Sequence, residues 1–383
     1  MGKTWSDQTL ADMRRVGDPV ADSVVRGLFE TGGIRSVNDL MQMLVRNDGL
    51  PSAQLPQSVR DYLQSTGQVS AVDAANVARG ERLFARLGPE MLAILGFYGL
   101  PMDYAAGKGV QVLYRTAYLA RRPMRRVLET TQMVIDVMSQ GGLSPHGRGV
   151  RAAQKVRLMH AAVRHLITQD PDASWDSAVL GVPINQEDLA GTLMTFAYIV
   201  LVGLERLNLT VSDEDREAYF DCWMVIGRIM GVREDLLPSS VAEGRALAYQ
   251  IFKDQGQSTP QGRELAKDLI GGYQRLLPSF LDGMPASMMH FFLEKESLTG
   301  RNIASMLAVP EPDWTLSVAR LAVGFDQFLN KHGIDNPLTS NLAGFIGREL
   351  VKGFLLAERG PGRVSFSIPS DLHEQWSTKV HAV

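Results

Sequence analysis

The chain has 383 residues, of which 45% are hydrophobic and 21% are charged, enough apolar material for one large domain or two ordinary ones. Its net charge of −3 provides no strong electrostatic attraction to nucleic acid or to an anionic membrane. Cys222 is the single cysteine, which excludes an intrachain disulfide and any multi-cysteine metal site and suits a reducing compartment. The first residues lack the apolar core of a secretory signal, so we expect a cytoplasmic protein.

Helical periodicity dominates the chain. Apolar residues recur every three or four positions in SVNDLMQMLVRN (36–47), and Pro123 opens an amphipathic helix over 123–138. The uncharged run LAGTLMTFAYIVLVGL (189–204) is shorter than the roughly 20 residues that a membrane-spanning helix needs. It therefore predicts a buried core helix, and we expect no transmembrane segment.

Helix start signals continue toward the C-terminus. Ser212, followed by acidic residues, and Thr259, followed by proline, are each placed to cap a helix. A further apolar helix is predicted over 336–356. The patterns together predict an all-α fold of about ten helices.

We expect a single large helical domain, because no composition shift marks a linker. An N-terminal helical extension is predicted over 1–60, the main domain over 61–355 and an irregular tail over 356–383. A glycine-rich connection, SQGGLSPHGRG (139–149), joins the helix 123–138 to the next helix, through 150–168.

The segment RLMHAAVR places His160 three residues after Arg157 and four before Arg164, on one face of that second helix. Two nearby guanidinium groups disfavour an imidazolium, which leaves the ring neutral, as an iron ligand must be. The ring also belongs to an apolar stripe predicted to point inward: Val156, Met159, Val163 and Ile167. The alternative is that His160 makes a hydrogen bond inside the core while the arginines pair with carboxylates.

Arg126 and Thr130 share a face of the helix 123–138, because they are four residues apart. The short connection to the helix of His160 predicts that the two helices are neighbours with a pocket between them. The alternative is that Arg126 is a solvated residue of the basic start of its helix. His290 and Cys222 lie in apolar segments and are interpreted as core residues.

Three segments resemble one known family: PMRRVLETTQMVIDVM (123–138), RLMHAAVRH (157–165) and WDSAVLGVPINQEDLAGTLMTF (175–196). They are similar to the latex clearing protein family, whose rubber oxygenase domain is shared with a fungal membrane-bound oxygenase that cleaves a prenyl side chain. The resemblance covers approximately residues 80–300.

The resemblance implies a globin-like helical core that holds one haem b, with His160 as the iron ligand. Arg157 and Arg164 match arginines of the family on that helix, which implies cofactor-binding roles. Arg126 and Thr130 match the arginine and threonine of the helix facing the haem, with Arg126 as the distal polar group. In the family, O2 cleaves a carbon–carbon double bond of a polyisoprenoid and gives carbonyl products.

Two departures from the family follow from the residues present. Rubber-cleaving members are secreted, whereas this chain shows no export signal. They also carry a lysine just before the threonine, where this chain has Glu129. We therefore expect a cytoplasmic haem b-dependent oxygenase that acts with O2 on an apolar unsaturated small molecule, such as a terpenoid or lipid.

The pocket of such an enzyme is predicted between the helices around 123–138, 152–168 and 189–204. Two alternatives remain open from the sequence. The chain is either a haem- or ligand-binding protein without turnover, or a helical scaffold without a cofactor.

Overall fold

The computed structural model of the chain describes the following residues: 2–45, 55–67, 74–120, 123–145, 147–169, 175–295, 298–331 and 344–349. The predicted tail 356–383 lies outside them, as does most of the predicted helix 336–356. Apart from one antiparallel bridge between Ala106 and Gly256, the described residues form no β-structure. The expected all-α, single-domain fold is confirmed.

Seventeen α-helical segments occur in the described ranges. They are α1 (Asp7–Met13), α2 (Pro19–Val45), α3 (Gln57–Thr66), α4 (Ala74–Ile94), α5 (Leu100–Tyr104), α6 (Val110–Ala120), α7 (Pro123–Met138), α8 (Arg148–Gln169), α9 (Ser177–Leu180), α10 (Gln186–Met194), α11 (Val200–Arg206), α12 (Asp213–Ile229), α13 (Val241–Gln255), α14 (Pro260–Leu276), α15 (Met284–Leu293), α16 (Ile303–Met306) and α17 (Trp314–Lys331). Short 3-10 turns cover Glu234–Leu236 and Ser279–Leu281.

The predicted helix starts are found where the local chemistry placed them. Helix α7 begins at Pro123. The Ser212 hydroxyl accepts a hydrogen bond from the Asp215 amide (3.2 Å), and the Thr259 hydroxyl accepts one from the Gly262 amide (3.0 Å). Each cap satisfies an amide that the first helical turn leaves unpaired.

Two helices are interrupted by π-helical turns that contact each other. Helix α4 continues through π1 (Leu95–Gly99) into α5, and α10 continues through π2 (Thr195–Ile199) into α11. The two continuous stretches, Ala74–Tyr104 and Gln186–Arg206, are long and apolar enough to cross a membrane. Their most apolar windows are, however, 83% and 89% buried inside the protein. The prediction of a buried core helix over 189–204 is confirmed.

Helix α8 lies between the main core and a smaller second core. The main core collects apolar residues from α4 to α17, and the second core joins α2, α3 and α8 through residues such as Val25, Tyr62 and Leu158. The N-terminal helices thus cover one side of α8. In addition, the buried Arg14 binds Glu187 (2.7 Å) and Asp188 (2.9 Å), so the segment around α1 is tied to the start of α10.

Candidate functional site

His160 lies in the middle of α8 with its ring half-buried. The Nδ1 atom is shielded from solvent and has no hydrogen-bond partner among the residues that the structure describes. Burial, and then the positive charges of Arg164 and Arg126, lower the pKa of the ring to about 3. The ring is therefore neutral at physiological pH, and it retains a lone pair that a metal ion can use.

The two arginines beside His160 make ion pairs with two aspartates at the start of α2: Asp18, directly before the helix, and Asp22, in its first turn. Arg157 binds Asp18 through two nitrogens (2.5 and 2.8 Å) and donates to the Ile229 carbonyl (3.1 Å). Arg164 binds Asp22 and donates to the carbonyls of residues 183 (2.9 Å) and 184 (2.8 Å). This is the carboxylate pairing that the sequence left open as an alternative. Because every guanidinium nitrogen is engaged, the arginines fasten α8 to α2 and to the loop before α10.

The apolar stripe predicted on α8 is not the most deeply buried face of the helix. Met159 is 41% exposed, so its predicted inward orientation was wrong, and Val156 and Val163 are half-buried. Ile167 is buried as predicted. The most deeply buried face packs against α2, and it carries Arg157, Leu158, Ala161, Ala162 and Arg164. His160, three residues after Arg157 and four before Arg164, lies at the edge of this face. The two aspartates neutralise the arginines there, which allows a charged face to be the buried one.

Helix α7, which carries Arg126 and Thr130, packs against α8, the helix of His160. Arg126 donates to the Leu113 carbonyl (3.1 Å) and to the Thr116 hydroxyl on α6, so it is held by α6 rather than solvated. Burial lowers the pKa of its guanidinium. The positive charge of Arg126 also lowers the pKa of His160, so the two side chains are close enough to interact electrostatically.

Thr130 faces a cavity of about 10 Å³, room for about one water molecule. Apolar walls come from α4, π1, α5 and α7 through Leu92, Leu95, Leu100 and Val127. The cavity has a second polar wall that no sequence signal indicated, the side chain of Tyr273 on α14. Its ring is 1% exposed, and burial raises the pKa of its hydroxyl well above the usual value.

The remaining candidates occupy ordinary positions. The His290 ring forms a hydrogen bond with the Pro310 carbonyl (3.0 Å), and Cys222 is a fully buried thiol whose pKa is raised by burial. Both are core residues, as predicted. Glu129, at the position of the family lysine, is exposed on α7.

Comparison with known proteins places this geometry in a family. The family model described as "ER-bound oxygenase mpaB/B'/Rubber oxygenase, catalytic domain" matches residues 82–330, which is more than half of the chain. The chain belongs to this family. Its matched segment contains α7 and α8 entirely, and with them Arg126, Thr130 and His160.

The chain is similar to one known rubber oxygenase in sequence and to one solved structure in fold. The rubber oxygenase of Streptomyces sp. (strain K30) is 28% identical over 261 residues, which cover 68% of this chain and 64% of that protein. The match thus spans less than two thirds of the curated relative. A solved structure of latex clearing protein LCP in the closed state superposes with a TM-score of 0.76 at 24% identity, over 94% of this chain and 95% of that one. The two proteins share one fold.

Proposed function

We propose that the chain is a haem b-dependent oxygenase that acts with O2 on an apolar unsaturated molecule of the isoprenoid or lipid type. The observation that carries the proposal is His160, a neutral histidine whose buried Nδ1 has no hydrogen-bond partner in the described part of the chain. A buried polar atom without a partner costs about 1–3 kcal/mol, so such atoms in native proteins are usually completed by a bound group. Membership of the family and the name of the Streptomyces relative support the oxygenase reaction.

The residues around His160 fit a haem. Val156 and Val163 are half-buried and Met159 is largely exposed on the same side of α8, which gives an apolar macrocycle a surface to cover. His160 would be the protein ligand of the iron. When bound, haem b supplies the iron centre at which O2 chemistry takes place.

The chain's own residues would prepare this centre in three ways. Burial, helped by the positive charges of Arg164 and Arg126, keeps His160 unprotonated. The ion pair of Arg157 with Asp18 fixes the position of α8. Thr130 presents a hydroxyl from the neighbouring helix, while aliphatic side chains exclude water from an apolar substrate.

Within this proposal the net reaction is oxidative cleavage of a carbon–carbon double bond. Both atoms of O2 are retained, one in each of the two carbonyl products, so that no external reductant is required. The proposal keeps the cytoplasmic location that the single cysteine suggested.

The first test is an absorption spectrum of the purified full chain together with a pyridine haemochrome assay. We expect a Soret band and about one haem b per chain. His160→Ala should abolish haem retention, whereas His165→Ala should not, because His165 lies on the same helix with its ring stacked on Phe29 (4.2 Å between ring centroids). A His160→Ala protein with the normal haem content would refute the ligand assignment.

Turnover is tested separately by O2 uptake and carbonyl formation with squalene, with the saturated squalane as the matched control. Uptake with squalene alone supports the oxygenase. A Soret band without uptake favours a non-catalytic haem protein, and a chain that stays colourless after hemin is added favours a scaffold.

A further inference from the structure

Three of the residues that line the cavity beside Thr130 carry a hydroxyl group: Thr130, Thr131 and Tyr273. The Thr131 hydroxyl donates to the Val127 carbonyl (2.8 Å) in its own helix. The hydroxyls of Thr130 and Tyr273 form no hydrogen bond to any residue that the structure describes. Tyr273 is 1% exposed, so bulk solvent does not provide its missing partner.

The backbone of π1 allows the tyrosine hydroxyl to reach this space. A Cβ atom placed on Gly96 would lie 2.5 Å from the Tyr273 hydroxyl oxygen. This distance is shorter than the contacts that Cβ atoms make in proteins, so the two atoms would clash. Gly96 therefore leaves room that a larger residue would fill. The wider π-helical turn is a feature that often accompanies functional sites.

The volume of the cavity and the hydroxyls of Thr130 and Tyr273 indicate which molecule the cavity can bind. A volume of about 10 Å³ matches one water molecule. Water donates and accepts hydrogen bonds, which is what the two hydroxyls lack, whereas an apolar gas of similar size would leave both unpaired.

We propose that the cavity binds a single water molecule that bridges the Tyr273 hydroxyl and the Thr130 hydroxyl, which makes Tyr273 a positioning residue for Thr130. The tyrosine donates to the water, and the water donates to the oxygen of Thr130. The proton of Thr130 is then left to point away from the water. The importance of that orientation for turnover rests on the proposed oxygenase function, but the bridge itself does not.

A crystal structure of the full chain, at a resolution that shows ordered water, tests the bridge directly. We expect one water within hydrogen-bond distance of both oxygens. Density for no molecule, or for a molecule that contacts neither hydroxyl, would overturn the proposal.

A double-mutant cycle tests the same bridge in solution and without a cofactor. Tyr273→Phe and Thr130→Val should each lower the urea midpoint of unfolding, and the double variant should lie no lower than the worse single variant. The control pair, Tyr273→Phe with Thr131→Val, should be additive because the Thr131 hydroxyl is already engaged. Thr130→Ser retains the hydroxyl. In that background Tyr273→Phe should therefore lower the urea midpoint as much as it does in the wild type. Additive effects for Thr130→Val, equal to those of the control, would contradict the bridge.

Turnover then separates this inference from the proposed function. If the chain oxidises squalene, Tyr273→Phe should lower kcat and leave KM unchanged, because it alters an orientation and not substrate binding. Coupling and an ordered water without any turnover would uphold the bridge and refute the oxygenase. If Tyr273→Phe leaves turnover unchanged and the effects of Tyr273→Phe and Thr130→Val on stability are additive, the oxygenase is upheld and the water bridge is refuted.

Discussion

The ion pair between Arg157 and Asp18 is the most deeply buried ion pair of the candidate site. The side chains are only 9% and 4% exposed, and two nitrogens of the arginine bind the carboxylate at 2.5 and 2.8 Å. Asp18→Asn removes the negative charge while it preserves the shape of the side chain. The guanidinium is then left charged, buried and without a counter-ion.

Breaking one partner of a buried pair costs about 3–5 kcal/mol. Arg157 keeps its hydrogen bond to the Ile229 carbonyl, and asparagine retains one acceptor oxygen, so we expect the lower end, about 3 kcal/mol. A loss of this size lowers the folding equilibrium constant by about two orders of magnitude. The measurement is equilibrium urea unfolding at neutral pH, in which the midpoint should fall while the slope is unchanged.

The chain offers a control with the same chemical change at the surface. Asp235 binds Arg233 at 2.8 Å, but the two side chains are 52% and 49% exposed. Asp235→Asn should therefore cost less than about 1 kcal/mol. An apolar double replacement, Asp18→Leu with Arg157→Met, should recover most of the loss, since no charge remains buried. If Asp18→Asn proved as mild as Asp235→Asn, the argument that this pair anchors α8 would be refuted.

Three further outcomes are expected from the packing and charges of the core. Gly96→Ala should destabilise by about 1–3 kcal/mol through the clash with the Tyr273 hydroxyl, and Tyr273→Phe in the same chain should relieve it; equal unfolding midpoints for the wild type and Gly96→Ala would contradict this. Burial raises the pKa of Asp103 well above its usual value, so its contribution to stability is complete below the unfolded pKa of about 3.9 and is lost as pH rises toward the folded pKa. Asp103→Asn does not titrate and should gain stability over the wild type by about 1.4 kcal/mol per pH unit in that window, as measured by unfolding at pH 4 and 6; a pH-independent difference would count against it. Leu158→Ala, at a fully buried position, should cost about 2–5 kcal/mol, whereas Leu166→Ala, 42% exposed on the same helix, should be nearly neutral; similar midpoints for the two variants would show that α8 is oriented differently.

Local signals predicted the helices well. Helix α7 has the predicted bounds, and the caps at Ser212 and Thr259 hold their helices as expected. Each of these features depends on residues within one turn of the chain. The neutral state of His160 is only partly local: Arg164 is four residues away, but burial, the largest cause of the lowered pKa, and the charge of Arg126 on α7 come from the tertiary structure.

The sequence by itself determined the helical class, the helix starts and the segments that identify the family, because periodicity, capping and motif spacing are properties of neighbouring residues. Only the tertiary structure decided which face of α8 is buried. The aspartates that neutralise Arg157 and Arg164 lie 139 and 142 residues away, and without them the arginine face should be exposed to solvent. Tyr273 became a candidate for the same reason, since it lines the cavity of Thr130 only when α14 packs against α7.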